Sequence, residues 1–199
     1  MRQRLTYIDH LKGISILLVV VGHFIQYNTS DSKDSGLFNF IYSFHMPLFM
    51  FISGYIGYIT INTSIFKNYI NFILKKGRAL LIPFFAWPLI VDSLFFNPNL
   101  HFDLYGRFRD LLYDPRTGLW FLWYLFFLTI LYSLFLLGSQ YFNTQKSIIR
   151  DIIIFTVLLA GLIVLRTSHI IIYADSFIQY YGYFFIGVFV AKYVWLKQK

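Results

Sequence analysis

The chain contains no cysteine, so it has neither a disulfide framework nor a thiolate to use as nucleophile or metal ligand. Charge is scarce too: 13% of its 199 residues are Asp, Glu, Lys or Arg, about half the share found in an ordinary soluble domain. Acidic residues are the scarcer kind, nine against 17 basic ones, which leaves a formal net charge of +8. This excess does not point to nucleic acid, because Lys and Arg fall mostly between alternate apolar segments instead of forming one basic patch. Internal repeats, low-complexity tracts and a Gly-rich nucleotide loop are also lacking.

What is present is apolar. Hydrophobic residues make up 58% and aromatic residues 22% of the chain, with a mean hydropathy of +0.61, a surface that water would not keep in solution. Six segments reach or approach the roughly 20 apolar residues that a helix needs to cross a bilayer: Ile8 to Tyr27, Leu37 to Ile61, Leu80 to Phe96, Leu119 to Leu137, Ser147 to Leu165 and Ile170 to Leu196. The third carries Pro83, Pro88 and Asp92, and the fifth has only about 14 clean apolar residues after Asp151, so both are less clean than the others. Arg2 and Arg4 ahead of the first run resemble a secretory leader, but the run ends in Gly22-His23-Phe24 with no small-residue cleavage site, and it reads as a membrane helix. The expected fold is all-α: one membrane-embedded domain over residues 1–199, a polytopic transmembrane helix bundle of about six spans.

Orientation follows from the cations. With the N-terminus in the cytoplasm, the inner segments hold twelve of them: Arg2, Arg4, Lys12, Lys67, Lys75, Lys76, Arg78, Lys146, Arg150, Lys192, Lys197 and Lys199. The outer segments hold five, Lys33, Arg107, Arg109, Arg116 and Arg166, so both termini are expected inside. The turn-rich stretch Asn28 to Gly36 makes the first two spans an antiparallel hairpin. The longer stretch Asn97 to Gly118, with balanced charges, is expected outside as either a folded polar cap or a solvated connector.

Ionisable groups within apolar spans are costly and mark function or a helix contact. His23 lies near the outer end of the first span and His45 near the start of the second, about 7 and 12 Å below the outer loop. Antiparallel neighbours can therefore bring the two imidazoles toward each other, a pair suited to proton transfer near neutrality. The alternative for either is a histidine that only bridges helices. Pro47, two residues past His45, is tolerable at a kink that frees a backbone carbonyl. Lys12 lies 11 residues before His23, which is about three turns, so one face of the first helix carries a cation inside and an imidazole outside, roughly 16 Å apart. Asp9 is spaced to pair with Lys12. The run Lys75-Lys76-Gly77-Arg78 ahead of the third span is either a topology signal or a phosphate site for an anionic donor. Trp120, Trp123 and Tyr124 read as an interfacial aromatic belt or as the wall of a site. Gly182 and Gly187 permit close helix packing in the last span. The two histidines lack the carboxylate or cysteine partners of a metal centre, so no metal is expected.

The order of these features resembles the acyltransferase 3 family of multi-span O-acyltransferases. The resemblance is carried by Asp9-His10-Leu11-Lys12 through Gly22-His23, Phe44-His45-Met46-Pro47 through Gly54-Tyr55, Lys75 through Phe84, Leu119 through Leu125, and Tyr180 through Val188. It implies transfer of an acyl group, commonly acetyl, from acetyl-CoA or another acyl-CoA to a hydroxyl of a glycan or lipid-linked carbohydrate beyond the membrane, here the inner membrane of a bacterial cell. The family's helix-one motif maps to Lys12 and His23 and its basic residue ahead of helix three to Arg78; the expected mechanism then has His23 as catalytic base or acyl relay, assisted by His45, with Lys12, Lys76 and Arg78 on the CoA phosphates. Lys12 stands where many members have Arg. Members usually have about ten helices, so a second copy or a partner membrane chain is expected to cover the face carrying the histidines. The contrasting expectation is a membrane protein that is not an enzyme, such as a proton-coupled transporter using the histidines with Asp9, Asp92 and Asp175.

Overall fold

A computed structural model describes residues 6–29, 35–60, 65–90, 104–114, 119–141, 148–167 and 174–194. No strand occurs among them. The helices are α1 (Thr6–Asn28), α2 (Gly36–Thr60), α3 (Ile65–Ala86), α4 (Leu104–Tyr113), α5 (Trp120–Tyr141), α6 (Ile148–Thr167) and α7 (Ala174–Phe189), the last continuing as a π-helical turn over Val190–Val194. Six of them correspond to the six apolar segments; α4 is additional and occupies part of the stretch read from sequence as either a folded polar cap or a solvated connector. Among the described residues, α1 over Thr6–Gln26 and α2 over Gly36–Thr60 are long and apolar enough to cross a membrane, and α5 holds a shorter apolar run, Trp120–Leu136.

The third helix differs most from expectation. It begins at Ile65, well before Leu80, so Lys75, Lys76 and Arg78 lie within a helix and not ahead of one. Lys and Arg are good helix formers, and here they interrupt an apolar run without interrupting the backbone ladder. Pro83 is also accommodated inside α3. Residues 87–90 then widen into a π-type turn whose Pro88 carbonyl accepts a hydrogen bond from Arg107 Nη1 of α4 at 3.0 Å. Asp92 lies outside the described residues.

The chain divides into two units, Met1–Thr60 with Gly182–Lys199, and Ile61–Tyr181. In the first, α1 buries a stripe one heptad apart, Ile8, Ser15 and Gly22. The facing stripe on α2 is Phe38, Ile41, His45, Ile52 and Tyr55, again at helical spacing. Ser35 starts α2, its hydroxyl accepting from the Phe38 amide at 3.4 Å as an N-cap. Two hydrogen bonds fix the antiparallel pairing. Tyr7 and Tyr55 share one between hydroxyls at 3.0 Å, and the Tyr42 hydroxyl donates to Gln26 Oε1 at 2.6 Å. On its other side α2 meets the end of α7 backbone to backbone: a Cβ on Gly54 would overlap the Phe184 carbonyl, and one on Gly187 the Phe51 carbonyl. In an apolar solvent such small-residue crossings replace hydrophobic burial as the source of helix association. Gly187 thus plays the packing role read from sequence, whereas nothing lies within 4 Å of a Cβ on Gly182.

The second unit is joined by rings. α3 runs antiparallel to α5, with Phe84 against Trp123 at 5.1 Å between centroids, Gly77 beneath Phe126 and the Tyr69 hydroxyl 3.2 Å from Ser133 Oγ. Ser133 gives its own hydrogen to the Ile130 carbonyl at 2.6 Å, so Tyr69 is the donor of that pair. The first half of α7 packs on α5 through Trp120 on Tyr180 at 5.2 Å and Tyr124 on Phe177 at 5.8 Å. It meets α6 where the Tyr181 hydroxyl donates to the Phe155 carbonyl at 3.0 Å. The Trp120, Trp123 and Tyr124 group therefore packs against neighbouring helices; Tyr124 is buried and the two tryptophans half-buried.

Candidate functional site

The face where α1 and α2 meet carries the two histidines. Gly22 opens it: a Cβ there would come within 3.0 Å of Tyr42 Cε2 and 3.4 Å of Ile41 Cγ2, so its hydrogen is what lets the Tyr42 ring lie against α1. That ring is held by Phe38, with centroids 4.0 Å apart, and meets the His45 imidazole edge-on at 4.8 Å. His45 sits in the buried stripe of α2 at 4% exposure. Its Nδ1 lies 2.8 Å from the Ile41 carbonyl one turn back. A carbonyl only accepts, so Nδ1 carries the hydrogen and, in the neutral ring, Nε2 carries the lone pair.

His23 is on the exposed flank of the α1 stripe, next to Gly22. Its Nδ1 is 3.2 Å from Gln26 Oε1, the same oxygen that accepts from Tyr42. A continuous polar path therefore runs from His23 through Gln26 to Tyr42, whose ring touches His45. Both histidines lie on the α1–α2 hairpin, linked through two residues that the motif reading passed over. The signal for both was present: Gln26 is three residues after His23 and Tyr42 three before His45, the spacing at which helix side chains meet. What could not be read was that Gln26 and Tyr42 would face each other across the helices.

The cations are distributed. Lys12 is exposed on α1, on the same flank as His23. Arg78 is exposed on α3, on a face it shares with Asn71 and Lys75. Lys76 is half-buried, with Nζ 6.0 Å from the centroid of the Phe72 ring, so its ammonium is drawn toward an aromatic face one turn back. Arg78 and Lys76 belong to the second unit, Lys12 and the histidines to the first. Asp151 was read only as an interruption of the fifth span; it is fully buried, and its Oδ1 accepts from Arg150 Nη2 at 3.0 Å. Among the described residues no three His, Cys, Asp or Glu side chains converge in a way that would hold a metal ion.

Comparison with known proteins extends these observations. Residues 5–199 match the model of a family described as an acyltransferase domain. The nodulation protein NolL of Sinorhizobium fredii is 34% identical over 149 residues, which is 71% of this chain and 40% of that protein. NolL of Mesorhizobium japonicum is 34% identical over 123 residues, 58% of this chain and 31% of that protein. The aligned stretch is thus less than half the length of either relative. No solved structure matches the chain.

Proposed function

We propose, from the premise that this chain belongs to the acyltransferase 3 family, that it moves an acyl group from an acyl-CoA donor to a hydroxyl of a carbohydrate. The protein is membrane-embedded, with α1 and α2 as spans. Our reading adds the segment that starts at Leu80 within α3, together with α5, α6 and α7, as further spans, both termini in the cytoplasm, and the inner membrane of a bacterial cell as the location. Acetyl is the proposed acyl group and a cell-surface or lipid-linked glycan the proposed acceptor.

The observation that carries this reading is the pair of histidines on one helix hairpin, joined by the Gln26 and Tyr42 hydrogen bond. In the proposed step, His23 Nε2 takes the proton of the acceptor hydroxyl as its oxygen bonds to the thioester carbonyl carbon. The carbon–sulfur bond then breaks, and the proton passes from His23 to the departing CoA sulfur, leaving ester and free thiol. His45 assists from the buried side. Lys12, Lys76 and Arg78 are proposed to meet the donor phosphates, Arg78 with a bidentate fork and the lysines as point charges.

The test is radiolabelled acetyl-CoA supplied to inside-out vesicles carrying the protein and an acceptor glycan. Wild type should yield acetylated glycan and His23→Ala at least 100-fold less, about what loss of a general base removes, with His45→Ala intermediate. Equal transfer by wild type and His23→Ala at matched expression would rule out His23 as base. Solute flux driven by a pH gradient, without acetylated product, would identify a transporter instead. Lys12→Ala and Arg78→Ala should each raise the donor KM several-fold with kcat little changed, since uniform binding is what they supply.

A further inference from the structure

Gln26 and Tyr42 lie outside the motifs that carry the family resemblance, yet they are the polar groups that connect α1 to α2 beside the histidines. We infer that they are the positioning residues of this site: Gln26 sets which nitrogen of His23 carries the hydrogen, and Tyr42 sets Gln26. The inference rests on the reading of His23 as the base.

Gln26 Oε1 receives the Tyr42 hydroxyl at 2.6 Å and faces His23 Nδ1 at 3.2 Å. An amide oxygen has two lone pairs and no hydrogen, so it accepts both bonds, and His23 is held with its hydrogen on Nδ1. The lone pair of the neutral ring then lies on Nε2, the nitrogen that must take the acceptor's proton. Without an acceptor at Nδ1, the ring is free to put its hydrogen on Nε2, where it cannot act as base.

The amide alone would not suffice, because a glutamine side chain on an exposed helix flank samples many rotamers. Tyr42 removes that freedom. Its ring is wedged between Gly22 of α1, the Phe38 ring at 4.0 Å and the His45 ring at 4.8 Å, so its hydroxyl has one place to be. Its short hydrogen bond pins the amide oxygen in turn. His45 reaches the same tautomer by another route, through the Ile41 carbonyl of its own helix. His45 is therefore supported from within α2 alone, and His23 by a glutamine of its own helix that Tyr42 pins from across the hairpin.

The experiment combines turnover in the vesicle assay with ¹⁵N spectra of ring-labelled histidine in the bilayer-embedded full chain, assigned by loss of the His23 signal in His23→Ala. Gln26→Leu, which keeps the apolar character of the helix, should lower kcat by about 10- to 100-fold with both KM values little changed. Its His23 spectrum should move from hydrogen on Nδ1 to a mixture of tautomers. Gln26→Glu keeps the accepting oxygen and should restore turnover to within about threefold of wild type, while Tyr42→Phe keeps the wedge, loses the donor and should cost about tenfold. An inactive His23→Ala beside a fully active Gln26→Leu would overturn the positioning role and leave the base intact. A fully active His23→Ala would overturn the base, and the spectra would then decide by themselves whether Gln26 sets the tautomer. A wild-type spectrum with the hydrogen on Nε2 overturns the inference whatever the rates.

Discussion

The two units solve the same problem, holding apolar helices together, with different chemistry. In Ile61–Tyr181 faces and edges of rings dominate the contacts between helices, Phe84 on Trp123, Trp120 on Tyr180, Phe155 on Tyr181, the last pair stacked at 5.0 Å, beside isolated hydrogen bonds such as Tyr69 to Ser133 and Tyr181 to the Phe155 carbonyl. In the unit made by Met1–Thr60 with the end of the chain, α1 and α2 are tied by hydroxyl and amide hydrogen bonds near both ends, and α2 and α7 by bare backbone at two glycines. Ring contacts tolerate sliding by several tenths of an ångström, because their attraction is broad. Hydrogen bonds and glycine crossings do not, since both depend on a short distance. Both histidines lie on the less tolerant architecture.

The largest effect is expected where that architecture is tightest. Gly54→Leu drives a side chain into the Phe184 carbonyl and should cost more than about 3 kcal/mol, seen as loss of the monodisperse peak after detergent extraction. Survival of that peak would show that the crossing is softer than the rings. Next comes a feature of the second unit that is ionic and not aromatic. Arg150→Ala leaves the fully buried Asp151 carboxylate without its guanidinium and should cost about 3 kcal/mol in a denaturant titration; replacing both, as Arg150→Met with Asp151→Leu, should recover most of it. Trp120→Ala removes the Tyr180 stacking and should cost about 1 to 2 kcal/mol with kcat unchanged, which separates scaffold from chemistry. Smallest is Tyr7→Phe, which deletes the hydroxyl pair at the end of the hairpin away from the histidines: about 0.6 kcal/mol and no change in turnover. A turnover defect in Tyr7→Phe as large as that of Tyr42→Phe would mean that any loosening of the hairpin disables the site, and that the polar path near the histidines has no special role.

Much of this was legible because membrane helices announce themselves. Apolar runs located α1, α2, α5, α6 and α7, and the turn-rich stretch after Asn28 marked the hairpin that brings His23 and His45 together. The start of α3 was not legible, because a helix interior rich in Lys and Asn looks like a polar connector when hydropathy is the signal, and only the backbone ladder shows that it continues. For the same reason α4 was legible only as one of two alternatives, a folded cap or a connector: ten residues with two arginines and an aspartate have amphipathic spacing but too little apolar mass. The burial of Asp151 was not legible either: the sequence shows only a carboxylate that shortens the clean apolar run, and its burial beside Arg150 depends on side-chain packing that spacing cannot reveal. Gln26 and Tyr42 were missed because each is unremarkable on its own helix and acquires meaning only across the pair.

Gly22 sets a clearance. The gap between α1 and the Tyr42 ring is sized for a hydrogen atom, and a methyl group there would sit 3.0 Å from ring carbon Cε2, a few tenths of an ångström too near. Such an intrusion is small enough for the helices to absorb without coming apart, yet it is of the same size as the margin that separates a short hydroxyl–amide bond from a long one. A mutational survey scored by abundance should therefore pass alanine at this position, while one scored by product should reject it. Position 22 works as a gauge block for the site, silent about whether the protein is made and informative about whether it is assembled to specification.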